Sequence, residues 1–223
     1  SILDVNLGDA TEKEMSIIFS DIRNFTSLSE KMTPEENFKF INSYLQTMGP
    51  VVRKNKGFID KFIGDGIMAL FPEKADDALN CAIEMIDQLA IFNAKNRRNG
   101  EPEINIGLGI HSSKVILGTI GEEKRLQETV ISDGVNLASR LEGLTKTFGC
   151  HIIISKYTLD KIPNISEYMY RELGNIKVKG KDILIDICEI FTGRPDENIS
   201  LKLKTKSEFE KALNLYNQAK FKD

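Results

Sequence analysis

The sequence predicts an α+β protein of ferredoxin-like architecture, an antiparallel sheet sandwich with its helices on one sheet face. Two observations lead there. Segments with helical spacing of apolar residues alternate with hairpin signals in the order β-α-α-β-β-α-β. The 223 residues, 41% apolar and 28% charged, are an ordinary globular mixture. A chain of this length buries about 70–75% of its unfolded surface, so its core needs no metal or disulfide staple.

Each element has its own signal. Met15-Ser16-Ile17-Ile18-Phe19-Ser20 reads as a first strand. Thr33-Pro34-Glu35-Glu36 is a capping box with proline at the first helical position, opening a helix whose inner stripe is Phe38, Ile41, Leu45 and Met48. Residues 57–71 read as two strands joined at Gly64-Asp65-Gly66. From Ala75 to about Arg97 the helical period returns, with Ala75, Ala78, Leu79, Ala82, Ile83, Ile86, Leu89 and Ala90 on one face. A second hairpin is expected from strands at 104–110 and 115–120, turning at His111-Ser112-Ser113. Ser132 or Asp133 then caps a helix containing Val135, Leu137, Ala138, Leu141 and Leu144. Short strands and a small helix at 156–161 fill the rest to Phe191.

These signals divide the chain into a connector (1–13), a main domain (14–192), and a linker with an amphipathic helix (193–223). In that helix Phe209, Ala212, Leu213, Leu215, Tyr216 and Ala219 are helically spaced. Thirty basic and 33 acidic residues leave a net charge of −3, which argues against a nucleic-acid partner. The longest stretch without Asp, Glu, Lys or Arg runs from Phe40 to Val52, short of the ~18 apolar residues of a membrane span. Acidic residues crowd the start, unlike a signal peptide. Cys81, Cys150 and Cys188 are odd in number and flanked by apolar residues, so they read as reduced core thiols of a cytoplasmic protein. The parent protein can still be membrane-anchored outside this segment.

Two aspartates stand out by position. Asp21 closes the first strand and Asp65 occupies a hairpin tip. Carboxylates at a strand end and a hairpin tip converge if the strands are neighbours, and a pair without histidine suits Mg²⁺, which prefers hard oxygen ligands. Taken singly, Asp65 reads more readily as a turn former and Asp21 as a helix cap than as metal ligands. Asn24, Phe25 and Thr26 begin a helix directly after Asp21, where free backbone N–H groups favour an anion. Asn136 and Arg140 are four apart and share a helix face, so they can hold a ribose and a phosphate together. Lys177-Val178-Lys179-Gly180-Lys181 sets three ammonium groups along one strand, which serves a phosphate or merely protects an edge. His111 and His151 sit in apolar strand contexts and read as structural.

Together these segments resemble the class III nucleotide cyclase catalytic domain from Met15 to about Phe191. The resemblance is carried by Phe19-Ser20-Asp21-Ile22-Arg23-Asn24-Phe25-Thr26, by Lys61-Phe62-Ile63-Gly64-Asp65-Gly66, and by Thr129-Val130-Ile131-Ser132-Asp133-Gly134-Val135-Asn136-Leu137-Ala138-Ser139-Arg140. It implies that Asp21 and Asp65, with the Ile22 carbonyl, hold two Mg²⁺ or Mn²⁺ ions per site. It makes Lys61 and Thr129 the base-reading pair, Asn136 the ribose-orienting residue and Arg140 the transition-state arginine. Lys179 becomes the triphosphate-binding lysine, with Lys181 close enough to compete for the role.

The resemblance further implies a head-to-tail homodimer with shared sites, conversion of ATP to 3′,5′-cyclic AMP and pyrophosphate, and a sensor or regulatory domain in the full-length protein. Lysine donates to adenine N1, whereas family members that use GTP carry glutamate and cysteine at these positions. The threonine variant resembles a bacterial subgroup that includes bicarbonate-responsive enzymes.

Three positions depart from the common pattern: Ser132, Gly66, and Ser113, whose usual glycine would ease a hairpin needing positive φ. Two rivals exist. A diguanylate cyclase needs a Gly-Gly-Asp/Glu-Glu-Phe hairpin, and this one reads Gly64-Asp65-Gly66-Ile67. A non-catalytic cyclase-like dimerisation or nucleotide-binding module usually lacks an aspartate or the arginine, and all are present.

Overall fold

A computed structural model describes residues 10–122, 125–177, 184–192 and 199–218. Eight strands form one sheet: β1 (Ala10–Ile22), β2 (Phe58–Ile63), β3 (Gly66–Phe71), β4 (Ile106–Glu122), β5 (Arg125–Ile131), β6 (Ile152–Ser155), β7 (Tyr170–Lys177) and β8 (Leu184–Ile190). The order is β2-β3-β1-β4-β6-β8-β7, with β5 paired to the far half of β4. Every pairing is antiparallel except β4 with β6. β1 opens at Ala10, inside the stretch read as a connector, and pairs with Gly118 there.

The helices are α1 (Phe25–Ser29), α2 (Pro34–Lys54), α3 (Ala75–Asn99), α4 (Asp133–Phe148), α5 (Lys156–Leu159) and α6 (Ile199–Asn217). Among the described residues none is long and apolar enough to cross a membrane. The capping box of α2 forms as its residues require: Thr33 N–H donates to Glu36 Oε2 at 2.8 Å, and Glu36 N–H donates to Thr33 Oγ1 at 3.3 Å. Its buried stripe is Phe40, Tyr44, Met48, Val51 and Val52, whereas Phe38 is 71% exposed. Apolar residues lie on more than one side of α2, and contact with Phe25, Phe92 and Ser20 selects the Phe40–Tyr44 side.

The helices cover both faces of the sheet, not one. Alternation along β1 sends Ile18 and Ile22 into a core with α2 and α3, while Met15 and Ile17 join Val115, Leu117, Val130 and Ala138 of α4 on the other side. The approach of α4 is set by two glycines of β4. A Cβ at Gly109 would stand 2.2 Å from the Glu142 nitrogen and 2.3 Å from the Ala138 oxygen, and one at Gly107 would overlap Arg23 and Thr145.

The expected turn at His111-Ser112-Ser113 does not exist. β4 runs unbroken through it, opposite Ile17, Ser16 and Met15 of β1, and turns back into β5 instead. The polar residues are satisfied inside the fold: Ser112 Oγ meets Ser16 Oγ at 2.7 Å, His111 Nδ1 meets Ser155 Oγ at 2.7 Å, and Ser112 N–H donates to Thr158 Oγ1 at 2.6 Å. Burial pushes the His111 imidazole down to about 4, as befits a structural histidine. Ser113 has no positive φ, so the strain expected of it does not arise.

The tail helix begins at Ile199, well before the expected start, and lies on β7. Leu213 packs against Gly174, Arg171 stacks on Phe209, and Lys202 and Arg171 both pair with the buried Glu189, at 2.8 and 2.7 Å. The three cysteines are buried free thiols, each pushed up to about 12 by burial.

Glycine at position 109 therefore fixes the seat of α4. Gly109→Ala is expected to lower stability by about 1–3 kcal/mol through overpacking. Gly143→Ala, on the open side of the same helix with nothing within 4 Å, is expected to raise it by about 0.5–1 kcal/mol. Urea unfolding of both variants measures the contrast, and equal effects would contradict this packing.

Candidate active site

The register of the sheet brings the two aspartates together. Ser20 lies opposite Ile67 across the β1–β3 pair, so the tip of the β2–β3 hairpin stands beside the end of β1. Ile63 pairs with Gly66, which leaves Gly64 and Asp65 as a two-residue loop. Gly64 adopts φ +62°, a conformation that favours glycine. A Cβ at Gly66 would sit 3.1 Å from the Ser20 and Ile63 carbonyl oxygens, so glycine lets the loop approach β1 without crowding.

One backbone donor holds both carboxylates. The Ile22 N–H donates to Asp21 Oδ1 and to Asp65 Oδ2, each at 3.1 Å. Asp21 is exposed and Asp65 half-buried. Burial, followed by the hydrogen bond and charge of Asp21, pushes the Asp65 carboxyl up to about 6. Beneath the pair, Tyr44 is fully buried, its hydroxyl 3.2 Å from Ser20 Oγ, and its phenol is raised by burial first and by both aspartates in addition.

The donor set fits a divalent cation. Two carboxylates converge at an open edge, one of them resisting ionisation in the absence of a positive charge, and all the donors are hard oxygens. No group of three His, Cys, Asp or Glu residues capable of holding a metal occurs among the described residues. A cation here therefore relies on two carboxylates, with backbone, water or a phosphate-bearing ligand completing its shell.

The other expected site residues are placed as follows. Asn24 begins α1 in a left-handed conformation (φ 55°) without a side-chain cap, Phe25 stacks 6.4 Å from Phe40, and Asn24 and Thr26 are exposed. Lys61 lies on β2 opposite Met68, 32% exposed, with its ammonium 3.2 Å from Asp60. Thr129 lies on β5 opposite Gly118. Ser132 caps α4, its hydroxyl accepting from Gly134 N–H at 3.0 Å. Asn136 and Arg140 are exposed on that helix. Lys179 and Lys181 lie outside the described residues.

Within one chain the structure unites Asp21, Ile22 and Asp65. Among the described residues no hydrogen bond or ion pair joins Asn136 or Arg140 to them. Cavities among the described residues lie elsewhere, including one of about 310 Å³ beside α3 and β8 and one of about 490 Å³ between α2 and α3.

Three residues beside the carboxylates escaped the sequence reading. Arg23 donates to Glu142 Oε1 at 3.4 Å and to Thr145 Oγ1. Glu142 is pushed up to about 7 by burial first and then by Asp21, against the opposing Arg23. The paired glycines at 107 and 109 were the available signal, since they announce that something packs hard on that face.

Residues 9–190 match the adenylate and guanylate cyclase catalytic domain family. An adenylate cyclase of Anabaena cylindrica is 44% identical over 85% of this chain, which spans 39% of that protein. The terminal-differentiation-specific adenylate cyclase of Dictyostelium discoideum is 38% identical over 96% of this chain, which spans 10% of it. The chain thus covers well under half the length of either relative. Among solved structures, the adenylyl cyclase CyaB from P. aeruginosa superposes with TM-score 0.74 at 31% identity, over 84% of this chain and 98% of that one. The guanylyl cyclase Cya2 does so with TM-score 0.69 at 32% identity, over 84% and 95%. By this family match over most of its length, the chain belongs to the class III adenylate and guanylate cyclase catalytic domains.

Proposed function

We propose that this domain is an adenylate cyclase, converting ATP to 3′,5′-cyclic AMP and pyrophosphate. The reading rests above all on Asp21 and Asp65 meeting at the Ile22 N–H, in a chain that also carries Lys61, Thr129, Asn136 and Arg140. Divalent cations held by Asp21, Asp65 and the Ile22 carbonyl, two Mg²⁺ or Mn²⁺ in the fuller form of the proposal, would supply positive charge to the triphosphate and acidify the ribose 3′-hydroxyl.

The chain's own residues do the rest. Lys61 donates to adenine N1 and the Thr129 hydroxyl accepts from the exocyclic amine. Asn136 orients the ribose, and Arg140 meets charge developing around the α-phosphorus, where preorganised positive charge acts most strongly. Asn24, Phe25 and Thr26 present the start of α1 to the phosphates, and Lys179 binds the triphosphate.

The site is proposed to be shared between two copies arranged head to tail, one giving Asp21 and Asp65 and the other Lys61, Thr129, Asn136 and Arg140. The exposure of Asn136 and Arg140, on a helix whose other side is buried against β4, supports this division. A cytoplasmic location and a sensor or regulatory domain in the full-length protein belong to the same reading.

Incubation with ATP or GTP and Mn²⁺, with products separated by chromatography, tests the activity. Cyclic AMP is expected from ATP, with little cyclic GMP from GTP. Asp21→Ala and Asp65→Ala are each expected to abolish nearly all turnover while leaving the circular dichroism spectrum intact. A folded wild-type protein that forms neither product would instead identify a cyclase-like binding module.

Base reading has its own test. Lys61→Glu with Thr129→Cys is expected to shift the ratio of kcat/KM for ATP over GTP by roughly ten- to a hundredfold toward GTP, since an unpaired buried base-edge group costs about 1–3 kcal/mol. An unchanged ratio in a folded, active double variant would remove these residues from base recognition.

A further inference from the structure

The strand that carries Asp21 is tied to α4 by a bracket with no role in the reaction described above. Arg23 stands two residues beyond Asp21, and its backbone N–H donates to the Asn105 carbonyl at 2.8 Å, just before β4 begins. Its guanidinium reaches Glu142 Oε1 at 3.4 Å and the Thr145 hydroxyl, which in turn donates to the Glu142 carbonyl at 2.5 Å. The side chains of Arg23 and Glu142 are only 19% and 14% exposed. Gly107 is the floor of this arrangement, since a Cβ there would stand 2.3 Å from the guanidinium and 2.4 Å from the Thr145 hydroxyl.

The helix has two working sides. Residues two apart on an α-helix lie about 200° around the axis from each other, so Glu142 turns toward β1 while Arg140 turns away. Asn136 and Arg140 are exposed, whereas Ala138, Leu141 and Thr145 are buried. A largely buried ion pair is a poor way to gain stability, because desolvation offsets most of the attraction. It is a good way to fix one register of α4 against β1.

We propose that Arg23 and Glu142 are positioning residues that lock α4 to the strand bearing Asp21. Each chain's bracket sets its Asn136 and Arg140 for the site completed by the aspartates of a second copy. This rests on the shared-site reading above.

The test uses mixed dimers in which a first chain carries Asp21→Ala and a second carries Arg140→Ala. Their heterodimer holds one intact site, built from the second chain's aspartates and the first chain's Asn136 and Arg140. Glu142→Gln is then placed in one chain at a time, and kcat and KM are measured at saturating Mn²⁺. In the first chain it is expected to lower kcat by about tenfold or more, with a smaller change in KM, because small misplacements of a transition-state group are costly. In the second chain the loss is expected to be at least about fivefold smaller.

Equal losses, or no loss from either placement, would reduce the bracket to a packing contact. A larger loss from the second placement would assign Glu142 to its own chain's carboxylates. Each of these overturns the positioning role. An inactive parent mixture, with subunit exchange demonstrated by two affinity tags, overturns the shared site and that role with it. If Glu142→Gln chains fail to fold, Thr145→Val removes the hydroxyl partner of Arg23 at nearly constant volume and must show the same asymmetry.

Discussion

Two carboxylates leaning on a single backbone N–H set the terms for this domain. Asp21 and Asp65 are separated by more than forty residues of sequence, yet both accept from Ile22 N–H. That meeting needs the β1–β3 register and a hairpin loop of only two residues, with Gly64 at φ +62° and Gly66 in close quarters easing the turn. It opposes like charges, and Asp65 answers by holding its proton to an unusually high pH. A fold selected for stability alone would have no reason to keep such a pair. Holding a cation and a triphosphate, as proposed above, would supply one, because the charge that sets the two carboxylates against each other also attracts a cation.

The rest of the molecule supports that edge from both faces of the sheet. On one side Tyr44 of α2 buries its ring beneath the carboxylates and bonds Ser20, so the end of β1 rests on a packed aromatic layer with Phe40 and Phe92. On the other side Gly107 and Gly109 bring α4 down onto β4, and Arg23 ties it to the strand that carries Asp21. The sheet thus carries the aspartate pair and the helix bearing Asn136 and Arg140 in one packed unit, with those two residues exposed on the outer side of α4.

Much of this was legible in the sequence, and the failures have physical causes. The capping box, the Gly64–Gly66 turn and the α3 face were readable because each depends on local chemistry within a few residues. The convergence of Asp21 and Asp65 followed from a strand end and a hairpin tip once their strands were neighbours. The polar triplet His111-Ser112-Ser113 looked like a turn because nothing local shows that Ser16, Ser155 and Thr158 wait to satisfy it. The buried side of α2 depended on aromatic partners at Phe25 and Phe92, remote in sequence. The placing of α4 on the second sheet face was hinted at only by two glycines, and Arg23, Glu142 and Thr145 became visible only with that packing.

The central claim is that the carboxylate pair is kept, at a cost in stability, to hold a divalent cation. Thermal unfolding of the metal-free protein against Asp65→Asn, from pH 4 to pH 8, tests it most directly. The Asp65 carboxyl is raised in the folded chain, from an ordinary 3.8 to about 6. The folded state therefore keeps a proton that the unfolded state has lost, and the stability this confers disappears as pH rises through about 6. Asparagine cannot ionise, so the variant should match or trail the wild type near pH 4 and melt at a higher temperature than it at pH 8. Adding Mn²⁺ at pH 8 should then raise the wild type and leave the variant nearly unmoved. A wild type that is the more stable of the two at pH 8 without metal, or an equal Mn²⁺ gain in both proteins, would contradict the account.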